Sequence, residues 1–150
     1  MKRYISLSLA LTALDQAIKL LIRRLPRGSI LFKIPHVLCI THRANTGAAF
    51  SLFAGRTAFV TLMSAALLVG VVWLFFRVMR PSRAAKLALA VLIGGGLGNM
   101  IDRVLLGSVT DYIRVLFINF PVFNFADICI TMSIGVLLFL LLTGRLEERG

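Results

Sequence analysis

Acid is scarce in this chain: Asp and Glu together number six, against 17 Lys and Arg, in 150 residues. Histidine and cysteine are thinner still, at two each. Cys39 and Cys129 are far apart and form no CxxC pair, so neither a disulfide framework nor a thiol-redox enzyme is supported. His36 and His42 flank Cys39 with no HExxH context, which leaves little for a metal site. No serine sits in a GxSxG setting, so the nucleophile-elbow hydrolases are also disfavoured. A net charge of +11 would suggest nucleic acid in a soluble protein. Here no basic stripe with interleaved aromatics stands clear of the apolar runs, and the charge reads instead as contact with anionic lipid headgroups.

What the chain has in abundance is hydrocarbon. It is 59% hydrophobic, with a mean hydropathy of +0.92, too apolar for polar side chains to cover a soluble domain. Four apolar runs lie at about 5–22, 58–76, 84–101 and 123–143. Each approaches the roughly 20 residues that a helix needs to cross a bilayer core of about 30 Å. The predicted class is an all-α polytopic membrane protein with four transmembrane helices, in a single domain over 1–150. A small extracytoplasmic extended or β element and a short interfacial segment complete it. MKR ahead of the first run resembles a cleavable leader. The run continues through Asp15, Gln16 and Lys19 with no convincing small-residue cleavage site, which predicts a retained first helix.

Parity sets the topology. Four crossings put both termini and the loop 77–86 on one side, and the segments 23–57 and 103–122 on the other. Basic residues divide almost evenly, eight against nine. The compact RxxRxxRxxK cluster, Arg77 to Lys86, abuts two helix ends, and Lys2 and Arg3 sit beside the first helix, so both termini are expected in the cytoplasm. The stretch 43–55 reads as a short extended or reentrant element on the membrane surface. Residues 104–119 read as an interfacial turn followed by a short surface helix or strand.

Acids break the symmetry. Glu147 and Glu148 lie in the tail, whereas Asp15, Asp102, Asp111 and Asp127 all fall toward the outer side. Asp15 and Lys19 are spaced i,i+4 and can neutralise each other or serve as a polar post for backbone or substrate. Gly95, Asn99, Asp102 and Arg103 share a helical stripe, where glycine allows close helix approach and the polar groups can tie the helix end to the outer segments. Arg103 could also orient a carbonyl or carboxylate. Asn45, two residues before Gly47, fits a turn residue or an amide that grips peptide backbone. Asn124 and Asp127 fit an N-cap with an acid at N3, which is compatible with chemistry because a cap fixes the carboxylate. Asp111, in SVTDY, has no comparable structural excuse. If Asp111 and Asp127 converge, two carboxylates sharing one proton can activate water and protonate a carbonyl, the chemistry of aspartic peptidases. Periodicity cannot bring them together, and three rivals stay open. They are a Mg²⁺-dependent lipid phosphotransferase, a small ion-coupled transporter using intramembrane carboxylates, and a purely structural subunit.

Five motifs in order, LDQAIK (14–19), NTGAAFSLF (45–53), GGGLGNMIDR (94–103), GSVTDYI (107–113) and FNFADICI (123–130), resemble the lipoprotein signal peptidases, also called prolipoprotein signal peptidase or signal peptidase II. The resemblance covers nearly the whole chain. It implies an aspartic endopeptidase of the bacterial inner membrane that removes the signal peptide from diacylglyceryl-modified prolipoproteins, cutting just before the lipidated cysteine. The family's catalytic pair falls on Asp111 and Asp127, on the periplasmic side. Its supporting positions fall on Asp15, Asn45, Gly95, Asn99, Asp102, Arg103, Asn124 and Ala126. Expected partners are the prolipoprotein substrate and membrane phospholipids, with no nucleic acid, metal or cofactor, and the enzyme is expected to act as a monomer. Tyr112 and Arg114 depart from the family's commoner choices and bear on local substrate contacts.

Overall fold

The structure, a computed structural model, describes residues 1–47, 55–77 and 80–147. It contains α1 (Lys2–Arg23), β1 (Ile30–Ile34), β2 (Leu38–Asn45), α2 (Thr57–Arg77), α3 (Arg83–Leu106), β3 (Val109–Val115) and α4 (Phe125–Leu142). All four helices are long and apolar enough to cross a membrane, so the four apolar runs are the four spans. At about 1.5 Å per residue, the 24 residues of α3 reach about 36 Å.

α3 is the hub, packing against α1, α2 and α4. Its start is set by Ser82, whose side chain accepts from the Ala85 N–H at 3.2 Å. Its end is set by Gly107, which takes the left-handed conformation at φ 67° and donates its N–H to the Arg103 carbonyl at 3.1 Å. The helix therefore runs past the apolar stretch that ends at 101, and Asp102 and Arg103 belong to its last turns. Hydropathy weakens there because both charged side chains point toward the protein. α1 is tied to α3 through two hydroxyls: Ser8 Oγ donates to the Ala90 carbonyl at 2.8 Å and Thr12 Oγ1 to the Gly94 carbonyl at 3.0 Å. Gly94 allows this approach, since a Cβ there would meet Leu11 Cβ at 2.9 Å and the Ser8 carbonyl at 3.0 Å. At the far end, Phe75, Ala85, Leu89, Leu92, Leu140 and Leu146 form an apolar cluster.

The two outer segments combine into one antiparallel sheet, ordered β1-β2-β3. For 104–119 the strand alternative holds, in β3. Pairing runs Lys33↔Cys39↔Arg114, Phe32↔Ile40↔Ile113 and Ile34↔Leu38↔Val115, and the β2–β3 register shifts between Ile40 and Arg43. Past the shift, Arg43 faces Asp111 and Asn45 faces Val109. Of the expected surface element over 43–55, residues 48–54 lie outside the described residues, as do 78–79 of the loop 77–86 and the tail from 148. Both cysteines are free and buried.

Candidate active site

Four elements deliver the polar residues to one end of the bundle. β3 carries Asp111, α4 begins with Asn124 and Asp127, β2 ends at Asn45, and the last turns of α3 carry Asn99, Asp102 and Arg103. The capping geometry read from sequence is present in full. Asn124 Oδ1 accepts from the Asp127 N–H at 2.9 Å, and Asp127 Oδ2 accepts from the Asn124 N–H at 3.1 Å.

The cap also joins the two acids. Asn124 Nδ2 donates to Asp111 Oδ1 at 2.7 Å and to Asn99 Oδ1 at 3.1 Å. Asn99 Nδ2 donates to Asp127 Oδ1 at 2.7 Å, and Asn45 Nδ2 to Asp111 Oδ2 at 3.0 Å. Every oxygen of the two carboxyl groups therefore has one fixed donor, and Asn124 touches both acids. Asn45 forms the turn that its sequence context suggested. Its Oδ1 accepts from the Gly47 N–H at 2.9 Å in a tight turn, which aims the amide at Asp111.

Asp111 is 3% exposed. Burial pushes its carboxyl up to about 7, and the nearby charge of Asp127 pushes the same way, against the hydrogen bonds from Asn45 and Asn124 and the more distant charge of Lys19. Both acids, with Asn45 and Arg103, line a cavity of about 440 Å³ whose remaining wall is mainly apolar, including Val109, Phe120, Val122 and Ile128. An apolar chamber with a few converging polar groups is the common form of a binding site.

Behind the cavity lies a buried ionic layer. Lys19, fully buried, places Nζ 2.8 Å from Asp15 Oδ2, 2.8 Å from Asn99 Oδ1 and 3.6 Å from Asp102 Oδ2. The i,i+4 pair is thus one side of a larger network. Asp15 Oδ1 accepts from the Ala126 N–H at 3.1 Å, which pins the first turn of α4. Ala126 is fully buried, and Gly95 must be small: a Cβ on Gly95 would lie 2.6 Å from the Ala126 carbonyl. Asp102 ties α3 to the sheet by accepting from the Thr110 N–H at 2.8 Å. Arg103 Nη2 reaches the Gly47 carbonyl at 3.4 Å. Among the described residues, no buried side-chain nitrogen or oxygen lacks a hydrogen-bond partner, and no group of three or more His, Cys, Asp or Glu side chains is arranged to hold a metal ion.

Three participants escaped the sequence reading, and a fourth was noted there only as a departure. Gln16 Nε2 donates to the Gly98 carbonyl at 2.9 Å and to Asp102 Oδ1 at 3.1 Å. Arg23 pairs with Asp102 and donates Nε to Thr110 Oγ1 at 2.9 Å. Thr110 is the third. The fourth is buried Tyr112, whose hydroxyl accepts from the Phe125 N–H at 3.1 Å and whose ionisation burial pushes up to about 12. Spacing held a signal for Arg23, since Asp15, Lys19 and Arg23 fall at successive fours on one face of α1.

This site sits on a backbone shared with solved proteins. Residues 7–143 match the profile of the family described as signal peptidase (SPase) II. The chain belongs to the signal peptidase II family. It is 40% identical over 136 residues to the lipoprotein signal peptidase of Parasynechococcus marenigrum, covering 90% of this chain and 86% of the relative. The lipoprotein signal peptidase of Bacillus subtilis is 33% identical over 150 residues, with 97% of each chain covered. A solved bacterial membrane enzyme, determined at 2.3 Å by the in meso method, superposes with a TM-score of 0.88 at 29% identity, covering 100% of this chain and 95% of that one. A second, at 1.9 Å, gives 0.84 at 31% identity, covering 95% and 94%. Membership makes the chain a multi-pass bacterial membrane peptidase.

Proposed function

We propose that this peptidase removes the signal peptide from diacylglyceryl-modified prolipoproteins by aspartic catalysis, cutting just before the lipidated cysteine. The observation that carries the reading is the pair Asp111 and Asp127, linked through Asn124 and opening on one cavity. The names of the relatives supply the substrate class.

Asp111, pushed up to about 7 and buried, is the acid that holds the proton near neutrality. Asp127, held by the cap in the first turn of α4, acts as the base. The proton inventory belongs to the pair. Asp127 takes a proton from water, the oxygen bonds to the scissile carbonyl carbon, and Asp111 gives its proton to the carbonyl oxygen. When the C–N bond breaks, Asp127 returns its proton to the leaving amine and a hydroxyl of the intermediate re-protonates Asp111. Asn45 and Arg103, at the cavity edge, hold the substrate backbone. The substrate's acyl chains stay in the bilayer beside the helices, so the search for the site is lateral and the scissile bond arrives at a fixed depth. The site faces the periplasm, both termini face the cytoplasm, and one chain suffices, since one chain supplies both acids and every donor to them.

The structure also argues against the transporter reading. Asp15, Asp102, Asp111 and Asp127 belong to one hydrogen-bonded assembly at one end of the bundle, and the α1–α3 contact farther along is made by Ser8 and Thr12. The test is end-product analysis with purified protein and a diacylglyceryl-cysteine precursor. A cut immediately before the modified cysteine, insensitive to chelation and reduced by about 10³-fold or more in D111N and in D127N, is the expected result. Near-normal cleavage by either variant, correctly folded, overturns the aspartic assignment, and equal cleavage of an unmodified cysteine precursor overturns the lipid requirement.

A further inference from the structure

The sheet presents apolar surface that extends beyond the cavity. All five residues of β1 are exposed, and Ile30, Leu31, Phe32, Ile34, Val37 and Phe117 are 40–67% exposed. The hairpin tip and the turn after β3 meet at the same end of the sheet, where the Leu116 N–H donates to the Val37 carbonyl at 2.9 Å. Large apolar side chains gathered at one end of a sheet do not face water without a partner.

Register shows how they are arranged. Residues directly opposite in adjacent strands share a face, and neighbours along a strand alternate. The rows Phe32–Ile40–Ile113 and Ile34–Leu38–Val115 therefore form one apolar face. Asp111, two residues before Ile113, belongs to that same face of β3. The row Lys33–Cys39–Arg114 lies on the opposite face, with both cations exposed at its ends. Arg24 and Arg27 are exposed just past the end of α1, which places them beside the membrane boundary. No acid occurs anywhere from residue 16 to 101, and all three acids at 15, 102 and 111 are buried. Exposed charge around this apolar surface is basic throughout. An acyl boundary lined with phosphates matches both properties at once; a neutral protein partner would match only the first.

We propose that the three-stranded sheet docks on the bilayer, with its apolar rows at the acyl–headgroup boundary and Arg24, Arg27, Lys33 and Arg114 reaching the phosphates of anionic phospholipid. The stems of the long cations lie along apolar surface while their heads reach the headgroups. Because the docked face carries Asp111, and the same sheet ends in Asn45, leaflet charge sets the depth at which one half of the acid pair stands. Anionic lipid is then a regulator of the site as well as its solvent. The effect on turnover rests on the function proposed above, whereas docking itself does not.

The experiment separates the two. Trp73 is the single tryptophan, so the W73F/F32W protein reports on β1 alone. It is reconstituted without substrate into vesicles of phosphatidylcholine, or of phosphatidylcholine mixed with phosphatidylglycerol, each containing lipid brominated on its acyl chains. The expected result is quenched, blue-shifted emission in the anionic mixture, weakened by high salt. Adding K33Q/R114Q should lower the docked-to-undocked ratio by roughly 25-fold, since each basic residue near an anionic surface contributes about fivefold. With otherwise wild-type protein, turnover should rise with phosphatidylglycerol and lose that dependence in K33Q/R114Q. Unquenched, water-like emission in both vesicles overturns the proposal. So does quenching that is equal in the two vesicles, which leaves no role for anionic lipid, and so does a response that appears only on adding precursor, which makes the substrate the occupant. Docking as expected in a protein that fails to cleave refutes the function and leaves the surface assignment standing.

Discussion

α2 and α3 are both apolar membrane helices, yet they are held in different ways. α2 carries no charged side chain from Thr57 to Phe76 and most of its surface is exposed. α3 is the most buried of the four, and what it buries includes Gly94, Gly95, Gly98, Asn99 and Asp102. Mean hydropathy ranks them the wrong way round for a soluble protein, 2.3 for α2 and 1.6 for α3. Lipid explains the inversion. Acyl chains solvate leucine as well as a protein interior does, so apolar surface has no reason to hide. Small residues that let backbones meet, and polar residues that must find partners, identify the inside. The site is an extension of that interior to the end of the bundle, and changes on α3 and its partners should be costly where changes on α2 are not.

The largest contrast should come from the cation at the centre of the ionic layer. Lys19→Met leaves Asp15 without its salt bridge and removes a donor from Asn99, with Arg23 remaining on Asp102. Removing one partner of a buried ion pair costs about 3–5 kcal/mol. Thermal unfolding in detergent should register that loss, and D15N/K19M should recover part of it because the stranded acid is gone. An unchanged unfolding temperature for Lys19→Met would show that the layer contributes nothing, and the contrast with α2 would fail there.

Gly95→Ala tests the close approach itself. The added methyl would meet the Ala126 carbonyl at 2.6 Å and Cys129 Cβ at 3.0 Å, and backbone must yield because neither is the end of a flexible side chain. Overpacking of this kind costs about 1–3 kcal/mol. α4 would move outward carrying Asn124 and Asp127, so turnover should fall further than stability does. Equal losses, or turnover intact in a destabilised protein, would separate helix contact from site geometry.

How much of this was legible in the chain depends on the range of each interaction. The spans follow from length and hydropathy, and the capping box and the Asp15–Lys19 pair from spacings of three and four within one helix. The link from Asn99 to Asp127 crosses 28 residues and two helices, and no periodicity encodes it. Gln16 was hidden because it neighbours Asp15 and points elsewhere around α1 until α3 supplies a carbonyl and an acid. β1 was hidden because ILFKI is exposed on both faces and lacks the alternation that marks a half-buried strand. Tyr112 was noticed only as a departure, since its use depends on where the α4 backbone begins.

Titration gives a third contrast, because α2 has no acid to report. Burial and Asp127 hold the Asp111 carboxyl at about 7, above its ordinary 3.8. The native state therefore binds more protons than the unfolded chain between those values. Its contribution to stability is present at low pH, falls as pH rises toward about 7, and is level above that. Cleavage should lose about tenfold per unit above that pH, where the protonated acid is depleted. D111N should remove the slope in stability along with the activity. A slope that survives in D111N would assign it to another group and leave the proposed acid without support.

The smallest effect is expected where the two helices can be compared residue for residue. Gly70 of α2, like Gly95 of α3, lies within a helix, yet a Cβ there meets nothing within 4 Å. Gly70→Ala should therefore act only through backbone freedom, stabilising the protein by about 0.5–1 kcal/mol. Turnover should be unchanged, since no site residue lies on α2 and the added methyl faces lipid. If the glycine instead proves as intolerant as Gly95, something packs against α2 in the membrane that a single chain does not contain. The outward helix would then be an interface, and the expectation of a monomer would give way.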